Sequence, residues 1–352
     1  MIRFYLTSFL RLPRQFPSTP KYRRLTRNAH CISAMSEAKI RLRIYFERIY
    51  PGAPFIHKER LLASFESDNQ PNPALLYVLY AMAICQTSQV PEYIASTYTA
   101  SFFQTRALWH VQKNLAELKD LFQTVQALAF LTVFETGLSR RASKPAQFRI
   151  NVDAMHAYLL TGQALRLSVM LGLHLLDESY DEGLNHPVRH AFPSLLPPPS
   201  SYDELEERRR TFWMVHICAQ MTSVQTLWPA CALASNEIYT CRPANDPGFG
   251  QIVCTSCILL IQRPRDFVPS PSGAGWFSRL IEVAGLINRA RDFLVQFQYG
   301  RRPAETTETS IDKLERDLQN YQLSVAMDDL LPIRDNKLFD KSRVVYLLLS
   351  YV

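Results

Sequence analysis

SYDELEERRRTFWMVH, residues 201–216, sets three consecutive arginines against a Phe-Trp pair. Read as a grip on nucleic acid, Arg208-Arg209-Arg210 makes this a DNA-contacting module. Read as a helix, it makes the chain a packed helical body. The helix reading fits residue by residue. Ser201 followed three positions later by Glu204 has the form of a capping box, in which the serine oxygen accepts a first-turn N–H and the glutamate closes back on the entry. Asp203 and Glu204 stand where the helix dipole favours negative charge. Glu204 precedes Arg208 by four residues, and Glu206 precedes Arg210 by four and Arg209 by three; each such pair stabilises a helix by roughly 0.2–0.5 kcal/mol. Residues 203–210 carry four acids against three arginines. Successive helical residues also fan by about 100° around the axis, so the three arginines do not share one groove-facing side. The expectation is a salt-laced first turn that carries Phe212, Trp213, His216, Ile217 and Gln220 toward a core.

The rest of the chain supports a helical body. Its 352 residues are enough for a large core. Only 11 are glycine, and long stretches rich in Leu, Ala, Gln and Arg favour an all-α protein over a sandwich, a barrel or a Gly-turned α/β enzyme. The net charge of +7 is unevenly placed. Seven of the 39 Lys and Arg residues (Arg3, Arg11, Arg14, Lys21, Arg23, Arg24 and Arg27) precede the first acidic residue, Glu37, and the remainder balances the 32 acids. A DNA-reading domain normally carries its own positive excess, because phosphate neutralisation supplies most of its affinity. The basic stretch 1–36 is expected to be a disordered leader; its composition is also that of an organelle transit peptide. The longest nearly apolar run, LLYVLYAMAIC at 75–85, is shorter than the ~20 residues of a spanning helix.

Helical periodicity predicts helices over 38–50, a short one after Pro51, 71–86, 91–118, 121–138, Asp153 to His174, 201–228, 276–299 and 308–325. In the 153–174 segment Leu159, Leu160, Ala164, Leu167, Met170 and Leu171 fall along one side. Residues 177–200 read as loop, and 241–275 concentrate Pro and Gly. A last apolar pattern, VVYLLLSYV, ends the chain without a cap, which predicts an architecture cut short.

Motifs for chemistry are missing. The seven cysteines are scattered, and only Cys254 and Cys257 have metal-like spacing, without a second close pair to complete about four ligands. His186 and His190 flank Pro187 in a loop-like stretch. Asp328-Asp329 lacks the third carboxylate of a diphosphate-binding cluster. There is no Gly-rich phosphate loop, HExxH or G-x-S-x-G. No catalytic, cofactor-binding, metal or DNA-binding residue is therefore singled out.

Several segments in order resemble one family. Pro51 to His57 matches its proline turn ending in His. Ala164-Leu165-Arg166 with Leu171-Gly172-Leu173-His174 matches its A-x-R…L-G-L-H helix. Glu207 to Trp213 matches its E-x-R-R-R-x-W-W helix, with Phe212 as the first aromatic. Cys241-Arg242-Pro243 stands where Leu-Pro is common. The chain thus resembles the fungal-specific transcription factor domain, the middle homology region of fungal zinc-cluster activators, over roughly 40–250 and more loosely beyond. The resemblance implies an irregular multi-helix bundle and a nuclear regulator of a metabolic or biosynthetic gene set, not an enzyme. It implies the leader 1–36, a regulatory core at 37–250, and a Pro/Gly-rich loop with closing helices of the same domain at 251–352. The family's six-cysteine zinc cluster has no match among these residues, so zinc and direct DNA contact are expected only of relatives. The expected partners are the transcription machinery or a DNA-binding protein, with a homodimer open and no membrane. A helical enzyme or small-molecule binder on the same fold is the alternative.

Overall fold

A computed structural model describes residues 40–50, 53–65, 71–86, 99–138, 146–177, 195–229, 233, 237–243, 276–298 and 312–321. Among these every regular element is a helix: α1 (40–48), α2 (Lys58–Ser64), α3 (Pro73–Gln86), α4 (Ala100–Glu117), α5 (Leu121–Leu138), α6 (Ala146–Met170), α7 (Tyr202–Thr226), α8 (Trp276–Gln298) and α9 (312–321). The all-α reading holds. The leader, Cys254 and Cys257, His186 and His190, Asp328-Asp329 and the last apolar run lie outside the described residues.

Two helices organise the rest. α5 packs against α3, α4, α6 and α7, and α7 packs against α5, α6 and α8. α5 is enclosed on most sides: Val125 and Ala127 through Leu131 are fully buried, and so are the polar Thr124, Gln126 and Thr132. Phe130 of α5 stacks on Phe55 with ring centroids 4.3 Å apart and meets the edge of Tyr45 from α1 at 5.6 Å. Such pairs add about 0.5–1.5 kcal/mol beyond the area they bury. A second cluster joins α8 to α9 through Val283, Leu286, Ile287 and Tyr321, with Met221 and Val224 of α7 against it. Among the described residues no helix is long and apolar enough to cross a membrane.

α6 starts at Ala146, not Asp153, and departs from expectation in two further ways. It ends at Met170, not His174, because Gly172 takes the left-handed conformation with φ 70°. Its N–H bonds the carbonyl of Val169 at 2.9 Å, and the Leu173 N–H bonds that of Ser168 at 3.0 Å. This paired closure favours glycine, which has no β-carbon to strain there. The second departure concerns the inner face. Leu159 and Met170 are 52% and 53% exposed, whereas Ala154, Ala157, Thr161, Ala164 and Ser168 are buried. The buried face therefore mixes these small residues with Leu165, Leu167 and Leu171, of which Leu167 and Leu171, like Ala164, lie on the expected side.

Candidate functional site

The arginine run opens α7, and its local partners are those the spacing predicts. Ser201 Oγ accepts the Glu204 N–H at 3.2 Å, while the Glu204 carboxylate accepts the N–H of Ser200 at 3.0 Å and its hydroxyl at 2.6 Å. Arg208 meets Glu204 at 2.6 Å, Arg210 meets Glu206 at 2.9 Å, and Arg209 comes within 3.7 Å of Glu206. The setting is not the one expected. Arg208, Arg209 and Arg210 are 4%, 4% and 1% exposed, and Glu206 and Glu207 are buried with them. The run lies inside the protein, so the surface value for an exposed pair does not apply; buried charges depend on having every partner in place.

Those further partners come from distant chain. Arg210 Nη1 donates to the carbonyl of Pro54 at 3.0 Å, and Arg208 Nη1 to that of Pro197 at 2.8 Å. Arg209 grips Asp177 with two donors, Nε at 3.0 Å and Nη2 on the other oxygen. Asp177 also accepts the Cys241 N–H at 2.7 Å, and the Cys241 carbonyl accepts Trp213 Nε1–H at 2.8 Å. Glu207 accepts the His57 N–H at 3.1 Å, Arg60 Nη1–H at 2.6 Å and Gln126 Nε2–H at 3.2 Å. The His57 side chain in turn caps α2, its Nδ1 accepting the Arg60 N–H at 3.1 Å.

The turn after α6 is built to deliver Asp177. Once Gly172 has closed the helix, the His174 carbonyl accepts the Tyr239 N–H at 2.7 Å and the Asp177 N–H reaches the Tyr239 carbonyl at 3.0 Å. Thr240 adds a hydroxyl that donates to the Leu173 carbonyl at 2.7 Å and accepts the Leu176 N–H at 3.1 Å. Four stretches singled out along the sequence therefore converge on one network: the turn ending at His57, the Leu171–His174 cap, the arginine run, and Cys241-Arg242-Pro243.

Electrostatics sharpen the picture. Burial works against the Glu204 charge, but hydrogen bonds from Ser200 and Arg208 overcome it and hold the carboxyl at about 2. Burial also opposes the Arg209 charge, and Asp177 more than compensates, raising the guanidinium above its ordinary value. For Glu207 burial prevails and pushes the carboxyl up, against the pull of Arg60, the His57 N–H and Gln126. These groups are committed to one another, and what they do chemically is lock α2, α5, α7 and two extended segments together. Asp177, five residues past the capping Gly172, Arg60 and Gln126 carried no signal in the sequence. Among the described residues no group of three or more His, Cys, Asp or Glu is placed to hold a metal ion.

Comparisons with known proteins find relatives among fungal transcriptional regulators. The chain is 28% identical over 209 residues to a pigment biosynthesis transcriptional activator of Monascus ruber, covering 58% of this chain and 33% of the relative. It is 26% identical over 229 residues to the ascochitine biosynthesis cluster transcriptional regulator of Didymella fabae, covering 64% and 34%. A citrinin biosynthesis transcriptional activator of Monascus purpureus is 23% identical over 281 residues, covering 77% and 43%. The chain thus spans between a third and a half of the length of these relatives. No solved structure matches it. The pattern of the fungal specific transcription factor domain matches residues 42–320, which contain every described member of the ion network, and the chain belongs to that family.

Proposed function

We propose that this chain is the regulatory body of a nuclear transcription regulator that switches on a biosynthetic gene set, acting through other proteins and not as an enzyme. The observation that carries the reading is the convergence of the family's separate sequence signatures on one buried network, in a region whose relatives are named as biosynthetic regulators. A domain held by internal ion pairs presents a fixed surface. The arginines that would have gripped phosphate are used up inside it, so partners are the transcription machinery or a DNA-binding protein. Residues 251–352 belong to the same body as 37–250 in this reading.

The test fuses the chain to an unrelated DNA-binding module and measures transcription from that module's reporter, with a fluorescent fusion followed in the same cells. Reporter activity and nuclear accumulation are expected, with loss of both output and fold in Asp177→Asn. Turnover of a metabolite by the purified chain, with no reporter output, would replace this reading with that of a helical enzyme.

A further inference from the structure

One flank of α4 repeats a pattern that the core does not use. Phe103, Ala107, Val111 and Asn114 make the buried side of this helix. Off that side stand Phe102, Arg106, Trp109 and Lys113, in which the two aromatics are seven residues apart and so are the two cations. At about 100° per residue the four fall within about 60° of one another around the axis and form one stripe. Trp109 and Lys113 are exposed, and Phe102 and Arg106 are half-buried. The Arg106 guanidinium lies over the Phe102 ring at 5.5 Å and the Lys113 ammonium over the Trp109 ring at 5.8 Å. At the margin toward α3, His110 meets Trp109 edge-on at 4.6 Å and lies alongside Tyr77 at 5.4 Å.

The stripe carries positive charge. His110 is held below its ordinary value, first by burial and then by the charges of Lys113 and Arg106, so both cations are felt on the same flank. Long cationic side chains that lay their stems along a ring keep their N–H donors toward water. Glu117 meets Lys113 at 3.9 Å, but both side chains are about half exposed, and an exposed pair of this kind is weak. Lys113 is thus open to exchange for a better-placed carboxylate.

We propose that this flank of α4 docks an acidic amphipathic helix of a partner protein, with an apolar side chain of the partner against Trp109 and carboxylates on Arg106 and Lys113. Charge complementarity selects an acidic partner. The repeat selects a helical one, because a seven-residue period is the pattern by which one helix follows another. At 1.5 Å per residue the two cations stand about 10 Å apart along α4, the spacing of carboxylates seven residues apart on a partner helix. Aromatics and cations together also suit single-stranded nucleic acid, but that binding needs a basic groove tracking the backbone. Two cations, one of them beside Glu117, supply too little charge for it. The flank gives the proposed regulator its kind of partner, and that link rests on the transcriptional reading; docking itself is measured in vitro, so the two fail separately.

The probe is a labelled synthetic helix about three heptads long, with Leu and Glu at adjoining heptad positions. Titrated with the purified full chain and followed by fluorescence anisotropy, it is expected to bind saturably and more weakly as salt rises. Trp109→Ala, which removes the exposed anchor, should weaken it at least about tenfold. Arg106→Glu with Lys113→Glu should lose this peptide and instead bind the same peptide with Lys in place of Glu, an exchange that a merely structural role would not produce. Melting curves check that both variants fold. Should the charge-reversed chain fail to fold, the wild-type chain tested with the Glu→Gln peptide, expected to bind at least about fivefold more weakly, takes its place. Absence of saturable binding, wild-type affinity in Trp109→Ala, indifference to either change of charge, or equal affinity for an oligo(dT) strand would overturn the docking site.

Discussion

Glu207 Oε1 accepts the backbone N–H of His57 at 3.1 Å across 150 residues of chain. The same carboxylate holds Arg60 of α2 and Gln126 of α5, so one side chain of α7 fixes the entry of α2 and the flank of the central helix. Its variants should separate charge from hydrogen bonding. Glu207→Ala strands the His57 N–H, while the Gln126 amide keeps its bond to Thr211 Oγ1 at 3.2 Å and Arg60, whose side chain is 45% exposed, turns to water. At about 1–3 kcal/mol for a stranded buried group, the expected loss is about 1–3 kcal/mol in urea unfolding. Glu207→Gln keeps an acceptor for the His57 N–H and should lose about half as much. Equal losses for the two variants would mean that the charge, not the acceptor, carries the contact.

Asp177 and Arg209 give a different prediction, because both are enclosed. Asp177→Asn leaves the Arg209 guanidinium buried with Glu206 as its nearest carboxylate, 3.7 Å away, and should cost about 3–5 kcal/mol. The double variant Asp177→Leu, Arg209→Met removes both charges together and should recover most of that loss. Recovery will stay incomplete, since the Cys241 N–H also depends on Asp177. A double-mutant cycle with coupling below about 0.5 kcal/mol would show that the two side chains act independently.

These two carboxylates mark where the sequence stopped being legible. The bounds of α5, 121–138, were readable to the residue from its helical pattern. The pairing of Arg208 with Glu204 and Arg210 with Glu206 was readable too, since it depends only on helical spacing. Their burial was not. It is set by Pro54, Asp177, Pro197 and Cys241, which approach from elsewhere in the chain, and no local pattern encodes that approach. α6 was read only in part: Ala164, Leu167 and Leu171 of the expected side are buried, whereas Leu159 and Met170 are exposed and Ala154, Ala157, Thr161 and Ser168 complete the covered face.

The pH dependence of stability should show two opposed limbs. His216 sits at about 4 in the fold against 6.5 in the open chain, so its contribution is complete above about 6.5 and is lost as pH falls toward 4. Glu204, at about 2 against 4.5, adds stability that is lost as pH falls from 4.5 toward 2. Glu135 runs the other way. Burial first, and then the charge of Asp153, lift it to about 7, so its contribution is present below 4.5 and lost as pH rises through 7. Glu135→Gln should therefore stabilise the protein near pH 8 and change little near pH 4, while His216→Phe should flatten the limb between about 4 and 6.5. Urea midpoints measured across this range check both; a gain from Glu135→Gln confined to acid pH would reverse the assignment.

Two helix ends share one backbone conformation and should respond to substitution with opposite sign. Gly172 closes α6 at φ 70°, where a β-carbon is strained, so Gly172→Ala should cost about 1 kcal/mol. Leu118 closes α4 at φ 51° with its N–H on the Asn114 carbonyl, and it is 69% exposed, so its side chain contributes little burial to offset the strain. Leu118→Gly should relieve that strain, partly offset by the greater freedom of glycine in the unfolded chain, for a net gain of about 0.5 kcal/mol. Thermal unfolding of the two variants side by side decides the matter. Destabilisation by both would mean that Leu118 contributes through packing, and that conformation alone does not rule the α4 terminus.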